Sequence, residues 1–194
     1  KYMNKPLIKV ITGMRRSGKS MILKLIHEEL KKQGVPEKNI IYINFESLIF
    51  MDIKDFETLY KYIIDKTTNI SGRFYILLDE IQEVKAWEKA INSFLVDLDA
   101  DIYITGSNAN LLSSELATYI AGRYIEIKIY PLSFQEYIDF ATENNKEKPL
   151  SLDEYFNQYL NFGGLPGIHI LNYSKDEIYQ YLADVYNSIL LRDV

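Results

Sequence analysis

A glycine-rich segment near the start of the chain carries the residue types that bind phosphate groups. It reads Gly13-Met-Arg-Arg-Ser-Gly18-Lys19-Ser20 and matches the pattern G-x-x-x-x-G-K-[ST] in full. Its glycines let a loop wrap phosphates, whose charge meets backbone N–H groups and the positive end of the following helix dipole. Lys19, expected to face solvent at the loop tip, would reach the β- and γ-phosphates, and the Ser20 hydroxyl would ligate Mg²⁺. The other residues of this segment that we expect at the phosphates are Arg15, Arg16, Ser17 and Met21. The two arginines also fit a second interpretation, in which they are solvated charges that only favour an anionic ligand.

An apolar run that ends in two carboxylates supplies a second set of reactive side chains. Phe74–Leu78 is followed directly by Asp79 and Glu80. The carboxyl edge of an open α/β sheet is where ligands bind. At that edge Asp79 would hold Mg²⁺, directly or through water, and Glu80 would orient and polarise an attacking water. The alternative is an acidic pair that only begins a helix after a core strand.

Two further features could serve the same chemistry. Ser107 and Asn108 follow the apolar run Ile102–Thr105, where polar side chains could touch a γ-phosphate or the attacking water. An ordinary turn explains them as well. Arg123 precedes a fifth apolar run and could neutralise phosphate charge, although a plain surface arginine fits equally well.

The elements that must position these residues alternate along the chain. Short apolar runs rich in β-branched and aromatic residues are separated by helical patterns, which is typical of an α/β doubly wound fold. Runs that are apolar almost throughout favour a parallel sheet with helices on both faces. The runs are Leu7–Thr12, Ile40–Phe45, Phe74–Asp79, Ile102–Thr105 and Tyr124–Ile129.

The pattern becomes helical after Pro131. Three Ser-x-x-Glu sequences, each of which can cap a helix, precede three apolar stripes with helical spacing. The polar segment Glu143–Pro149 is the best boundary, so we expect a core over residues 1–145 and a helical subdomain over 146–194. The Ser and Glu pairs are Ser133 with Glu136, Ser151 with Glu154, and Ser174 with Glu177.

Composition excludes several classes of function. The chain has 194 residues and a formal net charge of −5, so its bulk charge indicates neither nucleic acid nor an anionic membrane as a partner. It has no cysteine and two histidines, His27 and His169, which excludes thiolate and multi-histidine metal sites. Its longest apolar run is far shorter than the roughly 18 residues of a membrane span. We therefore expect a cytoplasmic setting. The chain begins at Lys1 and stops within a helical pattern, so we expect a longer protein.

The motifs in this order resemble a known family. GMRRSGKS, LLDEIQ, ITGSN, AGRY, PLSFQEY and GGLP are similar to the motifs of bacterial and archaeal AAA+-type P-loop ATPases, in which a C-terminal domain of unknown function usually follows. The resemblance implies a five-stranded parallel sheet in the order 5-1-4-3-2 and a helical lid from about residue 146. It implies that Lys19 and Ser20 bind phosphate and Mg²⁺, that Asp79 and Glu80 are the Walker B pair, and that Ser107 or Asn108 is the sensor. Arg123 is a candidate arginine finger.

The resemblance implies a Mg²⁺-dependent ATPase that binds ATP and releases ADP. The partners that we expect are the C-terminal domain of the longer protein, and a second copy of the chain or another protein. A nucleotide-gated switch with slow turnover is the alternative, because it would keep the same Asp79–Glu80 pair. A P-loop kinase fits less well, since a water-polarising acid such as Glu80 does not help transfer to another hydroxyl. No guanine-reading Asn/Thr-Lys-x-Asp sequence is present, which favours adenine.

Overall fold

The computed structural model describes residues 2–106, 120, 122–144, 150–170 and 174–192. Five strands form one sheet in the order β2-β3-β4-β1-β5. The neighbours β1 and β4, β4 and β3, and β3 and β2 run parallel. This confirms the predicted α/β fold. It also confirms the predicted strand order 5-1-4-3-2, which is the same order read from the opposite edge of the sheet. The strands are β1 (Ile8–Gly13), β2 (Ile40–Asn44), β3 (Phe74–Asp79), β4 (Ala100–Thr105) and β5 (Tyr124–Ile129).

In the described residues between these strands lie the helices α1 (Lys19–Lys32), α2 (Phe56–Thr67) and α3 (Trp87–Asp97). Helix α1 ends in Lys31 and Lys32, whose positive charge suits the negative end of the helix dipole. Helix α2 begins after Asp55, whose side chain accepts the Thr58 N–H in a reciprocal capping box. These local signals favour the observed end of α1 and the observed start of α2.

The two compact units into which the chain divides do not match the boundary expected from the sequence. The first comprises Lys1–Thr12 and Lys19–Lys128, and the second comprises Gly13–Gly18 and Ile129–Val194. The second unit therefore begins before residue 146. The polar segment that suggested a boundary there separates two helices of one unit, because the apolar residues on both sides of it pack into the same small core.

The core of the first unit lies along the central strands. All six residues of β1 and all six of β3 are buried, as near-continuous apolar strands predict. They pack with apolar side chains of the crossover helices, including Leu59, Ile63, Ile91 and Phe94. The edge strand β5 instead alternates, with Glu126 and Lys128 exposed. Thr12 on β1 donates to the Glu126 carboxylate across 2.6 Å and so links β5 to the sheet.

One buried ion pair lies away from the carboxyl edge of the sheet. Lys9 and Asp101 are paired and their side chains are fully buried. The second carboxylate oxygen of Asp101 accepts the Tyr103 hydroxyl at 2.9 Å and the Asn4 backbone N–H at 2.7 Å. Because each polar group is partnered, the pair satisfies the requirement that buried charges be matched. Burial lowers the pKa of Lys9, and the hydrogen bond that its ammonium donates to Asp101 opposes that shift.

The second unit is helical. It contains α4 (Phe134–Asn144), α5 (Leu152–Phe162), the short α6 (Gly167–Ile170) and α7 (Lys175–Arg192). Its small core is built on Tyr137, Tyr155 and Ile168. The three predicted Ser-x-x-Glu caps are confirmed, because in each the glutamate accepts the serine backbone N–H at 2.7 to 2.8 Å. Within the described ranges, no helix is both long and apolar enough to cross a membrane.

Candidate nucleotide site

The first unit brings Lys19, Ser20 and Asp79 into one neighbourhood through two elements. Lys19 and Ser20 open helix α1, and Asp79 is the last residue of strand β3. The Ser20 hydroxyl donates to Asp79 Oδ1 at 3.1 Å. Two oxygen atoms that Mg²⁺ could use are therefore adjacent although 59 residues separate them in the chain. Lys19 is only 6% exposed, so the expectation that it faces solvent at a loop tip is wrong. It is the first residue of α1 and lies with Leu23 and Leu30 among the buried residues of that helix.

Three hydroxyl groups surround the Asp79 carboxylate, which is fully buried. Besides Ser20, Thr105 donates to Oδ1 and Tyr42 donates to Oδ2 at 3.2 Å. Buried carboxylates are costly unless hydrogen bonds replace the water that they lose. Here the donors come from a helix and from two strands that flank β3, so the fold itself supplies the replacement.

Glu80 leaves the strand in a constrained backbone conformation. Its φ is 56°, in the left-handed region that costs a non-glycine residue of order 1 kcal/mol or more and that occurs often at functional sites. Its backbone N–H donates to the Thr105 hydroxyl at 3.1 Å, and its carboxylate accepts Gln82 Nε2 at 2.5 Å. The Thr105 hydroxyl is therefore shared, because it donates to Asp79 and accepts from Glu80.

Tyr42 is held on the side of Asp79 that faces β2. Burial, together with the negative charge of Asp79, raises the pKa of Tyr42 to about 12. The phenol therefore keeps its proton, and its capacity to donate, at physiological pH. The ring also stacks on His27 of α1, with the ring centroids 6.4 Å apart and the planes 20° from parallel. Nε2 of His27 lies 3.1 Å from Glu37.

The phosphate-loop segment Gly13–Gly18 groups with the second unit and has its own geometry. Gly13 has φ +148°, and a side chain there would overlap the Ile129 carbonyl, so only glycine fits. Ser17 Oγ is buried without a hydrogen-bond partner anywhere in the described ranges. Such a donor fits a loop whose natural partner is a phosphate oxygen. Arg16 has φ 64° and its guanidinium lies 5.6 Å from the centre of the Tyr181 ring, within cation–π range.

Arg123 is not brought to the carboxyl edge of the sheet. Its carbonyl accepts the N–H of Ile8, the first residue of β1, whereas Ile11 is level with Thr105. Arg123 therefore lies about 10 Å before that level, at about 3.3 Å per residue. Its guanidinium donates to Asn92 Oδ1 at 2.7 Å. It does not neutralise phosphate charge beside Asp79 of the same chain in this arrangement. Ser107 and Asn108 lie outside the described residues.

Two members of the site were not assigned from the sequence. In the sequence, Thr105 is one of the polar residues at the end of a strand and has no role of its own, and Tyr42 is part of an apolar run. The position of Tyr42 follows from the pairing of the strands. Asn44 is in register with Asp79, and Tyr42, two positions earlier in the same strand, lies on the same face as Asn44. A hydroxyl on that face, one strand away from a strand-terminal carboxylate, is a usable indication.

The donor set suits Mg²⁺. No cluster of three or more His, Asp or Glu side chains that could hold a metal occurs among the residues that the structure describes. Mg²⁺ is commonly bound by one or two carboxylates together with substrate phosphates and water. One carboxylate, Asp79, beside one hydroxyl, Ser20, is such a partial shell. The residues present therefore fit the ion.

Comparison with known proteins agrees with this geometry. A family model described as an AAA domain matches residues 5–138, which cover both the glycine-rich segment and the Asp79–Glu80 pair. The chain belongs to this AAA family. It is an AAA+-type P-loop protein, as the sequence motifs indicated.

Relatives of this AAA protein are known from both bacteria and archaea. It is 41% identical over 187 residues to an uncharacterised protein of Haemophilus influenzae, covering 96% of this chain and 46% of that protein. It is 34% identical over 198 residues to an uncharacterised protein of Methanocaldococcus jannaschii, covering 96% of this chain and 42% of that protein. The chain thus spans less than half the length of these relatives.

Solved structures share the fold at low identity. The structure of PCH-2 from C. elegans superposes with a TM-score of 0.56 at 14% identity, covering 96% of this chain and 62% of that one. AMPPCP-bound DnaA from Aquifex aeolicus superposes with a TM-score of 0.50 at 18% identity, covering 95% of this chain and 55% of that one. These similarities establish the AAA+ fold.

Proposed function

We propose that this AAA protein is a Mg²⁺-dependent ATPase of the cytoplasm. The observation that carries the proposal is the hydrogen bond from the Ser20 hydroxyl to the fully buried Asp79 carboxylate. Ser20 directly follows Lys19 in the chain. These three groups are the cation, hydroxyl and carboxylate that phosphoryl transfer needs for charge neutralisation. Ser17 Oγ, buried and unpartnered among the described residues, supports a phosphate ligand at the loop.

The residues divide the work between binding and reaction. Lys19 supplies a compact positive charge for the β- and γ-phosphates. Ser20 and Asp79 would hold Mg²⁺, which when bound neutralises charge that develops on the phosphate oxygens. Glu80 orients and polarises the attacking water, and the shared Thr105 hydroxyl fixes its backbone relative to Asp79. Catalysis of this kind depends on positioning and electrostatics.

We infer that a second copy of the chain completes the site. The Arg123 guanidinium donates to Asn92 of the first unit. Arg123 lies beside Ile8, near the amino ends of the strands and away from the carboxyl edge of the sheet. An arginine in that place would neutralise the phosphates of a nucleotide bound to a neighbouring subunit more readily than those of a nucleotide bound to the same chain. The test measures ATP hydrolysis by Lys19→Ala and by Arg123→Ala, each of which is expected to be inactive, and then by a mixture of the two. Recovered activity in the mixture supports a shared site, whereas a fully active Arg123→Ala protein excludes the role.

One experiment tests the ATPase proposal itself. The purified protein is assayed for release of phosphate from ATP and from GTP, with Mg²⁺ and with excess EDTA, and any co-purified nucleotide is identified by mass spectrometry. The proposal expects turnover of ATP that EDTA abolishes. Tight ATP binding with no turnover above the Glu80→Gln background would instead favour the nucleotide-gated switch.

A further inference from the structure

The hydroxyl of Tyr42 occupies the one Asp79 oxygen that faces away from Ser20. Ser20 and Thr105 both donate to Oδ1, while Tyr42 alone among the described residues donates to Oδ2. A carboxylate held at both oxygens has one orientation about its Cβ–Cγ bond. If Oδ2 lost its donor, the carboxylate plane could turn part-way about this bond and carry Oδ1 away from the Ser20 hydroxyl.

The placement of Tyr42 is itself constrained. It lies on β2, which pairs in register with β3, so that Tyr42 is opposite Leu77 and Asn44 is opposite Asp79. On the other side its ring stacks on His27 of helix α1. The phenol is therefore fixed between the strand that carries Asp79 and the helix that carries Ser20.

We propose that Tyr42 is a positioning residue for the Mg²⁺ site, which orients the Asp79 carboxylate by a hydrogen bond to Oδ2 and so sets the affinity for the metal. This inference rests on the proposed function, because it requires that Asp79 hold the metal. Groups that hydrogen-bond a metal-ligating carboxylate typically change metal affinity by about 10- to 100-fold when removed. Tyr42 does not touch the nucleotide in this role, so nucleotide affinity measured without metal is unaffected.

The test uses Tyr42→Phe, which removes the hydroxyl and keeps the ring that stacks on His27. Mn²⁺ is the probe, because its free concentration is read directly by electron paramagnetic resonance in the presence of saturating ADP. We expect the Kd for Mn²⁺ to rise about tenfold in Tyr42→Phe, with ADP affinity in EDTA within twofold of the parent. Hydrolysis should require about tenfold more Mg²⁺ for half-maximal rate.

Tyr103→Phe is the matched control. It also removes a hydroxyl that a strand tyrosine donates to a buried aspartate, Asp101, but it lies outside the candidate site. A rise in the Kd for Mn²⁺ in Tyr42→Phe but not in Tyr103→Phe supports the inference. An equal Kd for Mn²⁺ in the parent and Tyr42→Phe overturns it.

Two further measurements keep the outcomes separate. If the parent binds neither ADP nor Mn²⁺, the proposed function fails, whereas normal binding in the parent with no change in Tyr42→Phe removes only the role of Tyr42. If Tyr42→Phe does not fold, as judged by circular dichroism, Tyr42→Ile takes its place, because it also lacks a hydroxyl and suits a strand. A Mn²⁺ Kd equal to that of the parent in Tyr42→Ile overturns the inference in the same way.

Discussion

The Ser20 hydroxyl lies 3.1 Å from Asp79 Oδ1 and donates a hydrogen bond to it. One group comes from the first turn of a helix and the other from the last position of a strand. Because both are fixed by secondary structure, the pair is formed by the fold and does not depend on a loop. If the proposed metal nucleotide binds here, the pair needs little reorganisation, which is the condition that favours electrostatic catalysis.

Replacing Lys19 should abolish nucleotide binding without unfolding the protein. Lys19→Met keeps a long aliphatic stem in a position that is only 6% exposed, so packing in the first turn of α1 survives while the charge is lost. We expect affinity for a fluorescent ATP analogue to fall by at least a hundredfold, with the circular dichroism spectrum unchanged. Lys24→Met, on an exposed position of the same helix, serves as control. Parent-like affinity in Lys19→Met would remove the lysine from the site.

Thr105 can be tested through its shared hydroxyl. Thr105→Val keeps the shape of the side chain but removes the donor to Asp79 and the acceptor for the Glu80 N–H. Because the side chain is fully buried, leaving these groups unmatched should destabilise the fold by about 1–3 kcal/mol and reduce hydrolysis. Thr105→Ser retains the hydroxyl and should recover most of the rate. Chemical denaturation and single-turnover phosphate release provide the two measurements, and equal rates in the Val and Ser variants would contradict the prediction.

The Ser-x-x-Glu caps of the helical unit predict a local dependence on acid. The Ser151 hydroxyl and backbone N–H hold the pKa of Glu154 below its ordinary value of 4.5. A carboxyl with a lowered folded-state pKa stabilises the fold above its unfolded pKa, and this contribution disappears as pH falls through the lowered value. The cap should therefore weaken only below about pH 4.5.

The check on this cap is a carbon NMR titration of the Glu154 carboxyl. In Ser151→Ala the pKa should return toward its ordinary value, because the hydroxyl that stabilises the charged form is gone. Glu177, whose pKa is lowered by Ser174 in a separate helix, is an internal control and should not move. A Glu154 titration that is identical in both proteins would show that the serine hydroxyl does not act on it.

The strands and crossover helices were predictable because their signals are local. Phe74–Asp79 and Tyr124–Ile129 were predicted with the bounds observed, since apolar runs closed by polar residues define a strand without reference to the rest of the chain. Helix caps such as Ser151 with Glu154 act within four residues and were likewise readable. The strand order followed from the resemblance to a family, as periodicity alone does not determine it.

What the sequence did not reveal depends on long-range pairing. Tyr42 meets Asp79 because β2 and β3 pair with a particular register. The level of Arg123 in the sheet likewise depends on a long-range hydrogen bond, which its carbonyl accepts from the Ile8 N–H. The compact units also divide at a different place from the boundary expected near residue 146. Helix α4 belongs to the small core of the later helices because Tyr137 packs there. Local sequence patterns do not predict that contact.

Replacing Glu80 by glutamine should separate binding from hydrolysis. The amide is nearly isosteric, so contacts centred on Lys19, Ser20 and Asp79 should persist, and ATP affinity should stay within about threefold of the parent. The negative charge that orients the water is lost, and assistance of this kind is typically worth about 10²–10⁴-fold in rate. The left-handed backbone of Glu80 and its bond to Thr105 involve only main-chain atoms of residue 80, so they are retained.

The measurement is ATP affinity and single-turnover phosphate release for the parent and Glu80→Gln, with Glu83→Gln on the exposed end of the following short helix as control. Tight binding with release slowed at least a hundredfold in Glu80→Gln alone is the result that a hydrolytic role requires. A kinase would instead keep its transfer to an acceptor, because a residue that polarises water is not needed for that reaction. Equal release rates in the parent and Glu80→Gln would remove Glu80 from the chemistry and leave a protein that binds nucleotide and uses its occupancy as the signal.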